Sequence, residues 1–168
     1  VTVCRPPKDD DVPALMALRN DLPTQHALLA APRPNRPEDV RAWIERRTEN
    51  PTAIFRVVAD GGDAAVGFTQ IVEIDERSRH GVFGIAIDER HRGRGHGRAA
   101  LEQTLDAARA DGRLDKVMLY VAADNAPARA LYASAGFREV GVHRRHYRGP
   151  DRWHDVAVME RFLNRETP

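Results

Sequence analysis

Cysteine is nearly absent from this sequence of 168 residues, and the one thiol, Cys4, cannot bridge within the chain. Nothing in the composition therefore ties the protein to an oxidising compartment. Lysine is almost as scarce. Only Lys8 and Lys116 stand among 26 basic residues, and no Gly-Lys-Ser or Gly-Lys-Thr occurs, which excludes a Walker A nucleotide loop. No apolar run approaches the roughly 20 residues that a membrane helix needs. The N-terminal residues also lack a signal-peptide pattern. These absences predict a cytoplasmic protein with no membrane partner. A surplus of one charge is missing too. A net charge of +1 with 30% charged residues describes an ordinary surface and argues against general nucleic-acid affinity.

The chain has the length of one compact domain, residues 1–168, with enough residues to bury a core. Thr2 to Arg5 alternates like a short strand. Asp9 or Asp10 can cap a helix carrying Pro13 in its first turn and Val12, Leu15, Met16 and Leu22 on one face. Pro23 to Pro37 holds four prolines without a period and reads as a loop. From Pro37 to Asn50, Val40, Trp43, Ile44 and Arg47 recur at helical spacing. Two strands, Ile54 to Ala59 and Ala64 to Glu73, flank a hairpin signal at Asp60-Gly61-Gly62-Asp63. Gly81 to Ile87 is a third.

Beyond it, Ala99, Ala100, Leu101, Leu105 and Ala108 form the apolar stripe of a helix ending near Gly112. Lys116 to Val121 is so continuously apolar that it predicts a strand buried on both faces. Ala126 to Ala135 is a helix with Asn125 as cap and Gly136 as stop. Arg138 to Tyr147 and Trp153 to Phe162 close the chain as a hairpin. This order predicts an α+β fold, layered αβα: a mixed, mostly antiparallel sheet of about seven strands flanked by about four helices.

Between the third of these strands and the helix that follows lies Arg92-Gly93-Arg94-Gly95-His96-Gly97. Glycines at alternate positions let a turn bring its N–H groups against a polyanion, and the next helix aims its positive end at the same point. That combination describes a pyrophosphate cradle. It is not a dinucleotide fingerprint, because counting from Gly93 places Arg98 where the last glycine belongs.

The run resembles motif A of the GNAT superfamily of acyl-CoA-dependent N-acyltransferases, in which Arg or Gln is followed after two residues by Gly, one residue, and Gly or Ala. Arg92, Gly95 and Gly97 fill those positions. A second GNAT motif follows at the right separation, with Asn125, Ala128, Leu131, Tyr132, Gly136 and Phe137 in register behind the strand at Lys116. Together the two cover Val82 to Phe137 closely.

The resemblance implies acetyl transfer from acetyl-CoA to a primary amine, by direct attack in a ternary complex. The acceptor would be a small-molecule or peptide amine: a polyamine, an amino-sugar nucleotide, an amino acid or a protein N-terminus. The coenzyme A pyrophosphate would lie on the turn that begins at Gly93, with the N–H groups of Arg94, Gly95, His96, Gly97 and Arg98 as donors and the Arg92 and Arg98 side chains adding charge. The main chain of Ile85, Ala86 and Ile87 would contact the pantetheine arm, in a strand that carries a bulge and splays from its neighbour.

Tyr132 resembles the tyrosine that protonates the leaving thiolate, and a packed core aromatic is the alternative. Asn125 is explained by helix capping, though family members also use this position for cofactor or acceptor. The first candidate for the base that takes the acceptor's proton is Glu73, followed by His80 and Asp75. A homodimer is common in the family.

Cys4 reads as strand packing, since direct transfer needs no acyl-enzyme. His143 and His146, three apart on a strand, should face opposite sides and share no metal. Trp153, His154 and Asp155 could line the acceptor pocket. Glu73, Asp75 and Glu76 would suit a cationic acceptor, whereas Arg144, Arg145 and Arg148 would suit an anionic one. Two other classes compete with the enzyme: a non-catalytic acyl-CoA-binding regulator on the same fold, and a nucleic-acid module built on Arg90, Arg92, Arg94 and Arg98.

Overall fold

In the computed structural model, which describes residues 1–164, the apolar runs form the strands β1 (Val3–Arg5), β2 (Ile54–Ala59), β3 (Ala65–Asp75), β4 (His80–Ile87), β5 (Lys116–Ala122), β6 (Arg138–Arg148) and β7 (Trp153–Phe162). The helices are α1 (Val12–Asn20), α2 (Leu22–Ala27), α3 (Pro37–Thr48), α4 (His96–Asp111) and α5 (Ala126–Ser134). All strands join one sheet in the order β1-β2-β3-β4-β5-β7-β6. Every neighbouring pair is antiparallel except β4 and β5.

The expected layering is observed. Val12, Leu15 and Leu18 of α1 and Val40 and Trp43 of α3 pack with Phe55, Val57 and Phe68 on one face of the sheet. Leu101, Leu105 and Ala108 of α4 pack with Tyr132 of α5 and with Ile71, Val117 and Leu119 of the sheet in a second cluster. α1, α2, α3 and α5 each carry a proline in the first turn, where its missing N–H costs no hydrogen bond.

Several expectations need correction. Pro23 to Pro37 is not all loop, because the stretch opens inside α2, the fifth α-helix among the described residues: the Asp21 side chain accepts from the Thr24 N–H at 2.9 Å and caps it. Neither Asp9 nor Asp10 caps α1. Asp11 ends a short 3-10 turn there, accepting from the Lys8 N–H at 2.7 Å and pairing with Arg5 at 2.8 Å. β5 is not buried on both faces, since Val117, Leu119 and Val121 are buried while Tyr120 is 40% exposed.

His143 and His146 do not face apart. Arg145 adopts φ +48 and the β6–β7 register shifts between His143 and Tyr147. Three residues of β6 there stand opposite Asp155 alone, two more than a regular ladder holds, and the two imidazoles stack with centroids 4.7 Å apart.

Candidate active site

The site begins with a gap in the sheet. β4 and β5 pair only through His80–Lys116, Gly81–Val117 and Val82–Met118. Beyond Val82 they diverge, β4 continuing along β3 to Ile87 and β5 along β7 to Ala122. The β5-facing edge of Phe83 to Ile87 therefore carries backbone donors and acceptors without a strand partner, which an extended ligand could satisfy. Toward β3 this strand has no bulge. Its register is unbroken from Val82 to Ile87, and the shift falls between Val72 and Asp75, where Glu73 takes φ +53.

At the open end of the gap the chain turns into α4 through Gly93 and Gly95, with φ +72 and +85, values a side chain would strain. The first helical hydrogen bond runs from the Ala99 N–H to the Gly95 carbonyl at 3.1 Å. The N–H groups of residues 93–98 thus find no protein acceptor among the described residues, and they crown the positive end of the helix. Gly97 has no positive φ, and a Cβ there would meet only Leu131 at 3.6 Å and Ile87 at 3.9 Å, both ordinary contacts. The protein itself does not require this glycine; its missing side chain leaves room in the groove.

That groove, about 630 Å³, runs from the glycine turn along Ile85 to Ile87 as far as Tyr132. Arg92 and Arg98 line it, held by the Ile87 carbonyl at 2.9 Å and the Ser134 hydroxyl at 3.0 Å. Neither pairs with a carboxylate among the described residues. Such an arrangement fits a diphosphate joined to a long, amide-bearing arm. Arg94 is exposed, and the His96 ring turns to the Thr2 hydroxyl at 2.9 Å, so these two offer backbone rather than side chains. Asn125 lines the groove while its side-chain oxygen accepts from the Ala128 N–H at 3.2 Å, capping α5.

Tyr132 stands where this groove meets a second cavity of about 490 Å³ and lines both. Its ring packs edge-on to Phe83 at 6.3 Å and is 8% exposed. Burial pushes its phenol up to about 12, with no opposing hydrogen bond. The hydroxyl stays protonated at neutral pH, able to donate.

The second cavity is roofed by α2 and the loop after it. Buried Gln25 bonds the Arg19 and Arg33 carbonyls at 2.6 and 2.9 Å, Asn35 accepts from Arg19 at 3.2 Å, and Tyr147 ties β6 to the Ala30 carbonyl at 3.0 Å. The wall carries Arg19, Arg47 and Gln70. Arg19 lies over the Trp43 ring at 4.2 Å. Burial, aided by Arg33 and Arg47, lowers its guanidinium to about 10. Arg47 and Gln70 were not legible as site residues. The signals that could have found them are a charge on the apolar stripe of α3 and a polar side chain inside an apolar strand.

Other candidates fall outside. Glu73 is exposed and lines neither cavity, though its charge reaches Arg47. Asp75 accepts from the Arg77 and Ser78 N–H groups and pairs in register with His80 at the closed end of the gap. Trp153 and Asp155 line neither cavity and stand near Arg145, and His154 is buried beside His26. Cys4 is half-buried in β1, its thiol 3.8 Å from the Ala100 carbonyl.

Residues 15–137 match the family model described as the acetyltransferase (GNAT) family. The chain is 37% identical over 105 residues to the ribosomal protein bS18-alanine N-acetyltransferase of Escherichia coli, covering 62% of this chain and 68% of that one. It is 36% identical over 106 residues to the mycothiol acetyltransferase of Beutenbergia cavernae; the match spans 63% of this chain but about a third, 35%, of that relative. The crystal structure of spermidine N-acetyltransferase from Vibrio cholerae, in complex with CoA and spermine, superposes with a TM-score of 0.89 at 23% identity, covering 96% and 95% of the two chains.

Proposed function

Since the chain belongs to the GNAT acetyltransferase family, we propose that residues 1–168 form one domain that transfers an acetyl group from acetyl-CoA to a primary amine, both substrates being bound together. The observation that carries this reading is the gap opening beyond Val82 and Met118, with the glycine turn at one end and Tyr132 where the two cavities meet. Acetyl-CoA supplies the activated acetyl group as a thioester.

The chain supplies position and protons. The N–H groups of residues 93–98, with Arg92 and Arg98, hold the diphosphate. The unpaired edge of β4 receives the pantetheine amides as a neighbouring strand would, and an N–H between Ile85 and Ile87 polarises the thioester carbonyl. Asn125 holds the turn that starts α5 beside the arm. The amine approaches from the second cavity; its nitrogen bonds to the acetyl carbon as the carbon–sulfur bond breaks.

Tyr132 gives its proton to the departing sulfur. Burial holds the phenol protonated, so the proton is there to give as negative charge develops on sulfur. Glu73, outside both cavities but with its charge reaching Arg47, takes the ammonium's proton through water before attack, and the second proton, shed by the nitrogen as the amide forms, restores Tyr132.

The test is thiol release from acetyl-CoA against an amine panel, beside calorimetric titration with coenzyme A. Tyr132→Phe is expected to lower turnover by about 10²-fold and leave coenzyme affinity nearly intact. Absence of heat with coenzyme A overturns the reading. Tight binding without turnover on any amine returns the protein to the class of acyl-CoA-binding regulators.

A further inference from the structure

We propose that the acceptor is a small amine bearing a carboxylate, with the carboxylate seated on Arg19 and Arg47 and the amine turned toward Gln70 and the open edge of β4. This rests on the transferase reading and deepens it. The second cavity brings two guanidinium groups to one wall, from α1 and α3. Neither forms an ion pair with a carboxylate among the described residues, unlike Arg5, whose largely buried guanidinium meets Asp11 at 2.8 Å.

Arg19 has the face of Trp43 and the Asn35 side-chain oxygen for company. Arg47 has less. Its Nε is buried without an acceptor among the described residues, and burial together with Arg46 lowers its guanidinium against a partial offset from Glu73. Buried charge left unpaired is costly, and an incoming oxyanion would relieve it with charge-assisted hydrogen bonds.

The remaining polar group points the same way. The Gln70 side-chain oxygen is buried without a donor among the described residues, and its amide lies over β4 within 3.4 Å of where a Cβ on Gly84 would stand. An N–H of the acceptor would satisfy it while bringing the nitrogen to the strand edge beside Tyr132.

A polyamine meets the opposite field. Of the acids near the site in sequence, Asp75 is engaged in its own turn and Glu76 with Arg113 at 3.1 Å, while Glu73, whose charge reaches Arg47, lines neither cavity. The lining contains no Asp or Glu, and its other titratable groups are His146, Tyr120, Tyr132 and Tyr147. A polycation would therefore face two guanidinium groups with no counter-charge at the wall.

The decisive experiment compares free α-amino acids, their carboxamides and spermidine, read both as heat of binding to the coenzyme A-loaded protein and as thiol release from acetyl-CoA. The free acids are expected to exceed their amides by about tenfold or more in kcat/KM, with spermidine behind both. Arg47→Gln and Arg19→Gln should each collapse the acid-to-amide ratio toward one through KM. Arg41→Gln, on the exposed side of α3, should leave the ratio unchanged.

Equal rates for acid and amide, preference for spermidine, or a ratio that survives in both variants while they bind coenzyme A like wild type overturns the proposal. Acetylation of spermidine alone leaves the transferase reading standing and removes this one. Binding of the acids without acetylation removes the transferase reading and the acceptor role with it, leaving only a carboxylate-binding cavity, and a panel that gives no heat at all removes this proposal as well.

Discussion

A single methyl group separates two explanations of the glycine run. Gly93 and Gly95 are required by their own backbone, at φ +72 and +85, whereas Gly97 is surrounded by ordinary distances and open groove. Gly97→Ala should therefore fold and melt like wild type, and since the motif admits alanine here it should keep its coenzyme dissociation constant within about threefold by calorimetry. A loss of about tenfold or more would mean that the ligand presses on the backbone of this residue more closely than a methyl allows. At this scale the cradle was legible, since Arg92, the alternating glycines and Arg98 are neighbours in the chain. Arg47 and Gln70 were not, because an arginine on a helix stripe and a glutamine in a strand acquire meaning only from what stands opposite them.

Among the elements, α2 departs from the loop expected over Pro23 to Pro37. Pro23 sits in the first turn of a helix capped by Asp21, which also accepts from the Thr24 hydroxyl at 2.6 Å. α2 and the loop after it roof the acceptor cavity and lend Thr24, Ala27 and Leu28 to the coenzyme groove. Asp21→Ala should cost about 1 kcal/mol and speed amide hydrogen exchange over residues 22–30 without changing it in α4. Acceptor KM should rise more than the coenzyme dissociation constant does. A uniform increase in exchange would instead make α2 part of the global core. The α5 cap at Asn125 and the Asp60 turn, which holds the Gly62 and Ala64 N–H groups at 2.9 and 3.1 Å, were legible because their partners are two to four residues away.

Over the whole molecule, acids are held by arginines at several joints. Burial works against Asp11, but Arg5 and the Lys8 N–H outweigh it and keep the carboxyl below its usual range. Arg90 brings Asp88 down to about 2 at the entrance to the glycine turn. Arg138 and Lys116, at 2.7 and 3.0 Å, lower Glu160 where β5, β6 and β7 meet. Each depressed carboxyl binds fewer protons folded than unfolded, so the stability it contributes is complete above the unfolded value near 4. It is lost as pH falls through the folded values toward about 2. Thermal melting followed by circular dichroism should show a midpoint that drops below about pH 4, with Asp88→Asn flattening part of that drop; a midpoint indifferent to acid would remove these pairs from the stability of the fold. Sequence alone determined the order of the strands and of every helix but α2, the layered α+β class and the anion-binding turn, because caps, alternation and glycine placement act over a few residues. The length of the β4–β5 pairing and the stacking of His143 on His146 were decided by sheet register. The meeting of Arg19, Arg47 and Gln70 at one cavity was decided by how α1, α3 and β3 pack, a contact among distant segments that no local pattern encodes.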